Sequence, residues 1–330
     1  MTKKHFSGIA VIISGILFAL CWFYLPVEVA GQRPGNVPML IFYNALIAIT
    51  ISILLTFFII LVTKKSYILG HISTFNHFRH LLLLMVKRDF VTRYRRSVLG
   101  ILWSLLNPLL TMLVLTMVFS TIFRFEMDYD YFPVYLISGQ LIYNFFVEST
   151  SLAMNSITGS AAIIKKIYVP KYIFPISRVL SSMVNLGFSF IAFLLVFIIL
   201  RAPLHWTFVL IPIPILYLII FSMGVSMILS AMMVFFRDIG YIYGILTTLL
   251  MFLTPIFWPA NMLIERSPRV YHMIHLNPMF HYVNYFRDVA LFGVVPGLWA
   301  NIICLGFALA ALSIGLYTKM AQQDKYILHL

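Results

Sequence analysis

A chain of 330 residues would ordinarily divide into two soluble domains, but 62% of this one is hydrophobic and only 10% charged, against roughly half and roughly a quarter in globular proteins. So few charges cannot cover a water-facing surface, which excludes a soluble enzyme or binding domain and leaves an integral membrane protein. The remaining charge is lopsided, 23 Lys and Arg against 10 Asp and Glu for a net +13; in a membrane protein this is the basic bias of cytoplasmic loops, so no nucleic-acid partner is expected.

In chain order, a crossing helix needs about 20 apolar residues. Runs of that order fall at residues 6–27, 34–63, 97–123, 131–164 (interrupted by Glu148), 179–200, 202–236, 239–264 and 289–318. The fold class expected is therefore an all-α polytopic membrane protein of about eight transmembrane helices. The first run follows Lys3-Lys4 as a signal peptide would, but its apolar part is too long and Glu28-Val29-Ala30 is a poor cleavage site, so it is read as a retained span. With both termini cytoplasmic, 17 of the basic residues lie inside and 6 (Arg33, Arg124, Arg201, Arg266, Arg269, Arg287) outside, which sets the orientation. The chain then divides into a two-span hairpin at 1–65, an interfacial basic helix at 66–97, a transmembrane unit at 98–320 and a cytoplasmic tail at 321–330.

Catalytic chemistry finds no foothold. There is no phosphate-binding G-x-x-x-x-G-K-[ST] loop, no G-x-G-x-x-G, G-x-S-x-G or H-E-x-x-H. The histidine pairs His77/His80 and His272/His275 lack a carboxylate or thiolate at ligand spacing, and Cys21 and Cys304 sit in apolar runs, so neither a catalytic residue nor a metal site is expected. Gly240 and Gly244 form a small-xxx-small helix-packing pattern. Glu148, an acid deep in a predicted span, is either functional or paired with a polar neighbour, and the sequence leaves both open.

The informative block is 86–108. Lys87, Arg88, Arg93, Arg95 and Arg96 occupy a helix-capable segment that enters a span at Gly100. Phe78, Leu81, Leu82 and Met85 share one helix face, but Asp89, Thr92 and Arg96 continue it, so the helix is expected to change its contacts part way. Plain positive-inside anchoring explains the composition alone.

The residues that follow are Ser97-Val98-Leu99-Gly100-Ile101-Leu102-Trp103-Ser104-Leu105-Leu106-Asn107-Pro108-Leu109. This run resembles the entry to the transmembrane domain of type-2 ABC exporter permeases for polysaccharides and polyol phosphates, which export O-antigen, capsule and teichoic acid chains. Three further blocks resemble the same family. Residues 155–175, with Ile163-Ile164-Lys165-Lys166-Ile167-Tyr168, resemble its cytoplasmic coupling helix. Phe235-Phe236-Arg237-Asp238-Ile239 resembles its second cytoplasmic turn. Thr254-Pro255-Ile256-Phe257-Trp258-Pro259, Asn277-Pro278 and Tyr285-Phe286-Arg287-Asp288 resemble its external re-entrant segment. The resemblance spans roughly 75–320 and leaves the hairpin outside.

The resemblance implies a six-span exporter core preceded by the extra hairpin, in the cytoplasmic membrane, with an external re-entrant segment at 259–295 that dips into the outer leaflet as two short helices broken near Asn277-Pro278. It implies a homodimer forming the channel, and two copies of a separate ABC ATPase subunit that carries the ATP and Mg, this chain binding no cofactor. The substrate implied is an undecaprenyl-pyrophosphate-type lipid-linked glycan. On that reading Arg88, Arg93, Arg95 and Arg96 are candidates for the pyrophosphate, with Arg93 and Arg96 favoured. Tyr94, Trp103, Phe119, Tyr143, Phe257 and Trp258 are candidate channel-lining residues, and Ile163, Ile164, Lys165, Lys166, Ile167 and Tyr168 candidate ATPase contacts, expected to form a helix over 160–168. The competing classes are a type-2 exporter of small lipophilic molecules, a membrane-embedded glycosyltransferase or ligase, and a structural scaffold. The ligase reading is weakened by an external stretch at 259–296 whose acids are only Glu265 and Asp288.

Overall fold

The computed structural model describes residues 65–94, 99–100, 102–119, 131–167, 169–259 and 274–322. The two predicted spans of the N-terminal hairpin, Arg95, Arg96, Tyr168 and the first half of the re-entrant segment lie outside the described residues.

Among the described residues all regular structure is helical. Helix α1 (Lys65–Tyr94) runs 30 residues, about 45 Å at the rise of an α-helix. The chain then turns at Gly100, whose φ of +49° is left-handed, into α2 (Leu102–Val118), a helix with no buried residue that contains Pro108. Helix α3 (Phe132–Met154) follows, with a proline in its first turn. A 3-10 turn (Thr158–Ser160) and the one-turn α4 (Ala161–Ile164) lead into α5 (Ile173–Ile199). A second 3-10 turn (Trp206–Leu210) precedes α6 (Pro212–Phe235), and α7 (Ile239–Leu253), α8 (Pro278–Ala290) and α9 (Leu298–Gln322) complete the described residues.

Three stretches are long and apolar enough to cross a membrane among the described residues, Ile173–Ile199, Trp206–Phe235 and Leu298–Lys319, with shorter apolar helices at Leu102–Val118 and Ile239–Leu253. Helix α3 is long but carries Ser138, Gln140, Glu148, Ser149 and Thr150, and it is the helix the others surround, packing against α2, α5, α6 and α8. A helix enclosed by protein rather than lipid can keep such residues because neighbours answer them. Its inner faces, with Leu136, Ile142 and Phe146, form the main core with Phe193, Leu218 and Phe286.

Several element boundaries differ from the sequence expectation, each for a backbone reason. The run at 131–164 stops being one helix at Met154, where the chain turns through Thr158–Ser160. The run at 239–264 ends at Leu253 because Pro255 cannot follow in a helix and Thr254 is extended. The run expected at 289–318 begins at Leu298 instead: Ala290 belongs to α8, and Pro296 separates the two helices. The expected coupling helix over 160–168 is α-helical only at Ala161–Ile164.

Helices α6 and α9 form the most extensive helix pair. They cross where Gly224 faces Ala311 and Gly315. A Cβ on Gly224 would lie 2.3 Å from the carbonyl carbon of Ala311, and one on Gly315 would lie 2.6 Å from the carbonyl oxygen of Gly224. Backbone contact of this kind replaces hydrophobic driving force inside a bilayer. At Gly244, part of the pair singled out in the sequence, a Cβ would meet nothing within 4 Å.

Candidate functional site

The site is the seam where α1 lies across α5 and α3. In the first part of the seam Leu82 and Met85 are buried with Ile173, Phe174 and Met227, and Phe78, Leu81, Ile163 and Ile164 pack against them. One turn on, the same face of α1 turns polar. Asp89 Oδ2 accepts from Arg178 Nη1 and, at 3.2 Å, from Ser181 Oγ. Four residues further, Arg93 Nη1 donates to Glu148 Oε1 at 2.5 Å, and Asn185 Nδ2 donates to the same oxygen.

The two ion pairs have opposite polarity. Helix α1 supplies an acid and then a base; the bundle answers with Arg178 and then Glu148. Since positions 89 and 93 lie on one helix face, this pattern fixes the rotation and register of α1 on the bundle. Fully exposed pairs contribute about 0–1 kcal/mol, while removing one partner of a buried pair costs about 3–5 kcal/mol. With Arg178 and Asp89 only 21% and 14% exposed, the first pair belongs nearer the second case. Arg93 and Glu148 are 37% and 31% exposed, which leaves the second pair open to exchange.

Of the four arginines expected to meet a phosphate, two are described. Arg93 reaches Glu148, and Arg88 is half exposed with its Nη2 3.4 Å from Asp89 Oδ1. The polar neighbour left open for Glu148 in the sequence is thus a pair of donors, Arg93 and Asn185, which no local spacing reveals.

The candidate aromatic residues fall in separate places. Trp103 on α2 is 46% exposed. Phe119, just past α2, stacks on Phe257 with ring centroids 5.2 Å apart. Tyr143 is buried, and its hydroxyl donates to the Thr247 carbonyl on α7. Trp258 is half-buried, with its carbonyl accepting from the Tyr135 hydroxyl at 3.2 Å. The side chain of Tyr94 lies outside the described residues. In the turn expected to contact an ATPase, Lys165, Lys166 and Ile167 are exposed, Ile167 by 60%, whereas Ile163 and Ile164 are half-buried against the α1 seam.

At the other end of α3, Arg287 is a residue the sequence reading missed as a structural centre. The sequence sets it among the outside charges, in the re-entrant segment, yet it is 1% exposed. Its Nη1 donates to the Pro255 carbonyl at 2.5 Å, Nη2 to the carbonyls of Tyr135 and Ile256 at 3.1 Å each, and Nε to Ser138 Oγ at 3.3 Å. The guanidinium carbon also stands 3.5 Å from the Tyr135 ring centroid. Helix α8, capped by Asn277 accepting from Met279 N at 3.0 Å, is thereby fastened to the start of α3 and the turn after α7. Among the described residues no group of three or more His, Cys, Asp or Glu stands close enough to hold a metal ion.

The family model for the ABC-2 type transporter matches residues 80–291, which run from α1 to the end of α8. The chain belongs to the ABC-2 type transporter family. The O-antigen export system permease protein RfbA of Klebsiella pneumoniae is 29% identical over 271 residues, covering 80% of this chain and 99% of that one. The protein of the same name from Myxococcus xanthus is 31% identical over 212 residues, 64% of this chain and 80% of that one. The polysialic acid transport protein KpsM of Escherichia coli is 26% identical over 249 residues, 72% of this chain and 91% of that one. The matched region of this ABC-2 transporter therefore contains the whole polar seam and the Arg287 anchor.

Proposed function

We propose that this ABC-2 transporter is the channel-forming permease subunit of a polysaccharide exporter in the cytoplasmic membrane, working as a homodimer with two copies of a separate ATPase subunit. The substrate is a glycan carried on an undecaprenyl-pyrophosphate-type lipid. The observation that carries this reading is the similarity to permeases named for O-antigen export and polysialic acid transport across nearly their whole lengths. The chemistry of α1 supports it, because arginines set along a helix that enters the membrane offer forked donors to phosphate oxygens. The ATPase subunits dock on the cytoplasmic turn that presents Lys165, Lys166 and Ile167. Both termini are cytoplasmic, and the extra hairpin adds two spans to a six-span core.

Replacing Arg88, Arg93, Arg95 and Arg96 one at a time by Lys tests the substrate assignment. A membrane anchor needs only positive charge, whereas phosphate recognition uses the planar fork. At least one variant, with Arg93 and Arg96 foremost, is expected to lower export tenfold or more while insertion and ATPase copurification stay normal. Equal export from all four would reduce the cluster to an anchor.

A further inference from the structure

Resting on that reading, we propose that Glu148 is a built-in anion that occupies the donors of the substrate site, and that a pyrophosphate displaces it from Arg93 and Asn185. Glu148 lies six residues before the end of α3 at Met154, about 9 Å along the helix. A lone guanidinium or carboxylate is costly at such depth, so Arg93 requires an anion there. The pairing leaves part of the fork unused. Both donors converge on the single oxygen Oε1, Arg93 uses only Nη1, and the contact is end-on rather than the two-pronged pairing that makes Arg–carboxylate bonds strong. A pyrophosphate carries more than one negative charge and several acceptor oxygens, and it offers the fork a better partner.

The exchange has a structural consequence. Arg93 sits in the last turn of α1, and among the described residues its bond to Glu148 is one of two ion pairs fastening that end of the helix to the bundle. Displacing Glu148 leaves Asp89–Arg178 and the Phe90–Phe188 stack one turn back as the neighbouring contacts, so arrival of the headgroup loosens the last turn of α1. Occupancy of the site is thereby converted into movement of the helix that leads into the channel wall.

The experiment uses the full transporter with its ATPase subunit in nanodiscs, titrated separately with undecaprenyl pyrophosphate and with inorganic pyrophosphate. Glu148→Gln keeps the size of the side chain and an acceptor for Asn185 but removes the competing charge. It is expected to tighten binding at least threefold. Arg93→Ala is expected to weaken binding about tenfold, and the double variant to behave as Arg93→Ala, because no gain is available without the guanidinium. Asn185→Leu, which loses the second donor, is expected to weaken binding severalfold and serves as the independent check should Glu148→Gln express poorly. Unchanged or weaker binding by Glu148→Gln, with Arg93→Ala still impaired, overturns the exchange while leaving the arginine reading intact. Unchanged binding by Arg93→Ala removes Arg93 from the substrate site and overturns the exchange with it, while the Lys series at Arg88, Arg95 and Arg96 still decides the arginine reading. A response to both probes supports exchange at a lipid headgroup; a response to inorganic pyrophosphate alone supports exchange with a soluble anion.

Discussion

Arg287 holds a positive charge among four neutral oxygens, those of Tyr135, Pro255, Ile256 and Ser138. Its planar fork reaches acceptors on two segments at once, the start of α3 and the turn after α7, which a lysine ammonium cannot do. Arg287→Lys is expected to leave at least one buried carbonyl without a donor, at about 1–3 kcal/mol each, and to lower the thermal midpoint in detergent by roughly 1–4 °C. An unchanged midpoint would mean that water already serves those carbonyls. The partners of Arg287 lie 31 to 152 residues away in sequence, so no local pattern announces them and the sequence shows only an outside charge of the re-entrant segment. Glu148 was legible as a singular position because one acid in an apolar run is visible on inspection, although its partners were not.

Among elements, α1 shows how far periodicity carries. The stripe Phe78, Leu81, Leu82 and Met85 has helical spacing and does pack inward, and its untidy continuation at Asp89 is where Arg178 meets it. Periodicity therefore located the change of partner but not the partner. The break between helices around 155–171 is legible in the sequence, but the helix expected over 160–168 is only Ala161–Ile164, with Ile163 and Ile164 turned toward α1 and only Ile167 of the three mostly exposed. That separates two effects within one motif. Ile167→Asp is expected to lower ATPase copurification tenfold or more with the permease's own melting unchanged, whereas Ile164→Asp is expected to destabilise the permease as well. Normal copurification and stimulated ATPase rates with Ile167→Asp would move the docking surface elsewhere. The crossing of Gly224 with Gly315 stayed hidden for another reason. A small-xxx-small pattern is visible within one helix, as at Gly240 and Gly244, while a contact between helices 91 positions apart is not.

For the whole molecule, composition established the membrane class, and the motifs entering α2 and ending α7 established the family region. Span limits were less legible: Pro255 and Pro259 shorten the span from 239 to about Trp258 in the sequence, yet the helix ends at Leu253, and the apolar run at 289–318 does not show the break before Leu298. The external placement of the segment around α8 is checked by labelling. Leu291 is 1% exposed and a poor reporter, but Val295 is 51% exposed in the link to α9. Val295→Cys is expected to react with an impermeant maleimide from the outside, and reaction from the cytoplasm alone would invert the topology. The central claim, export of a lipid-linked glycan, is tested most directly by deleting the gene for this chain and measuring where the polymer collects. Undecaprenyl-linked glycan is expected to accumulate on the cytoplasmic face and to disappear from the cell surface, with both restored by the wild-type permease. Normal surface polymer with no cytoplasmic accumulation would contradict the account.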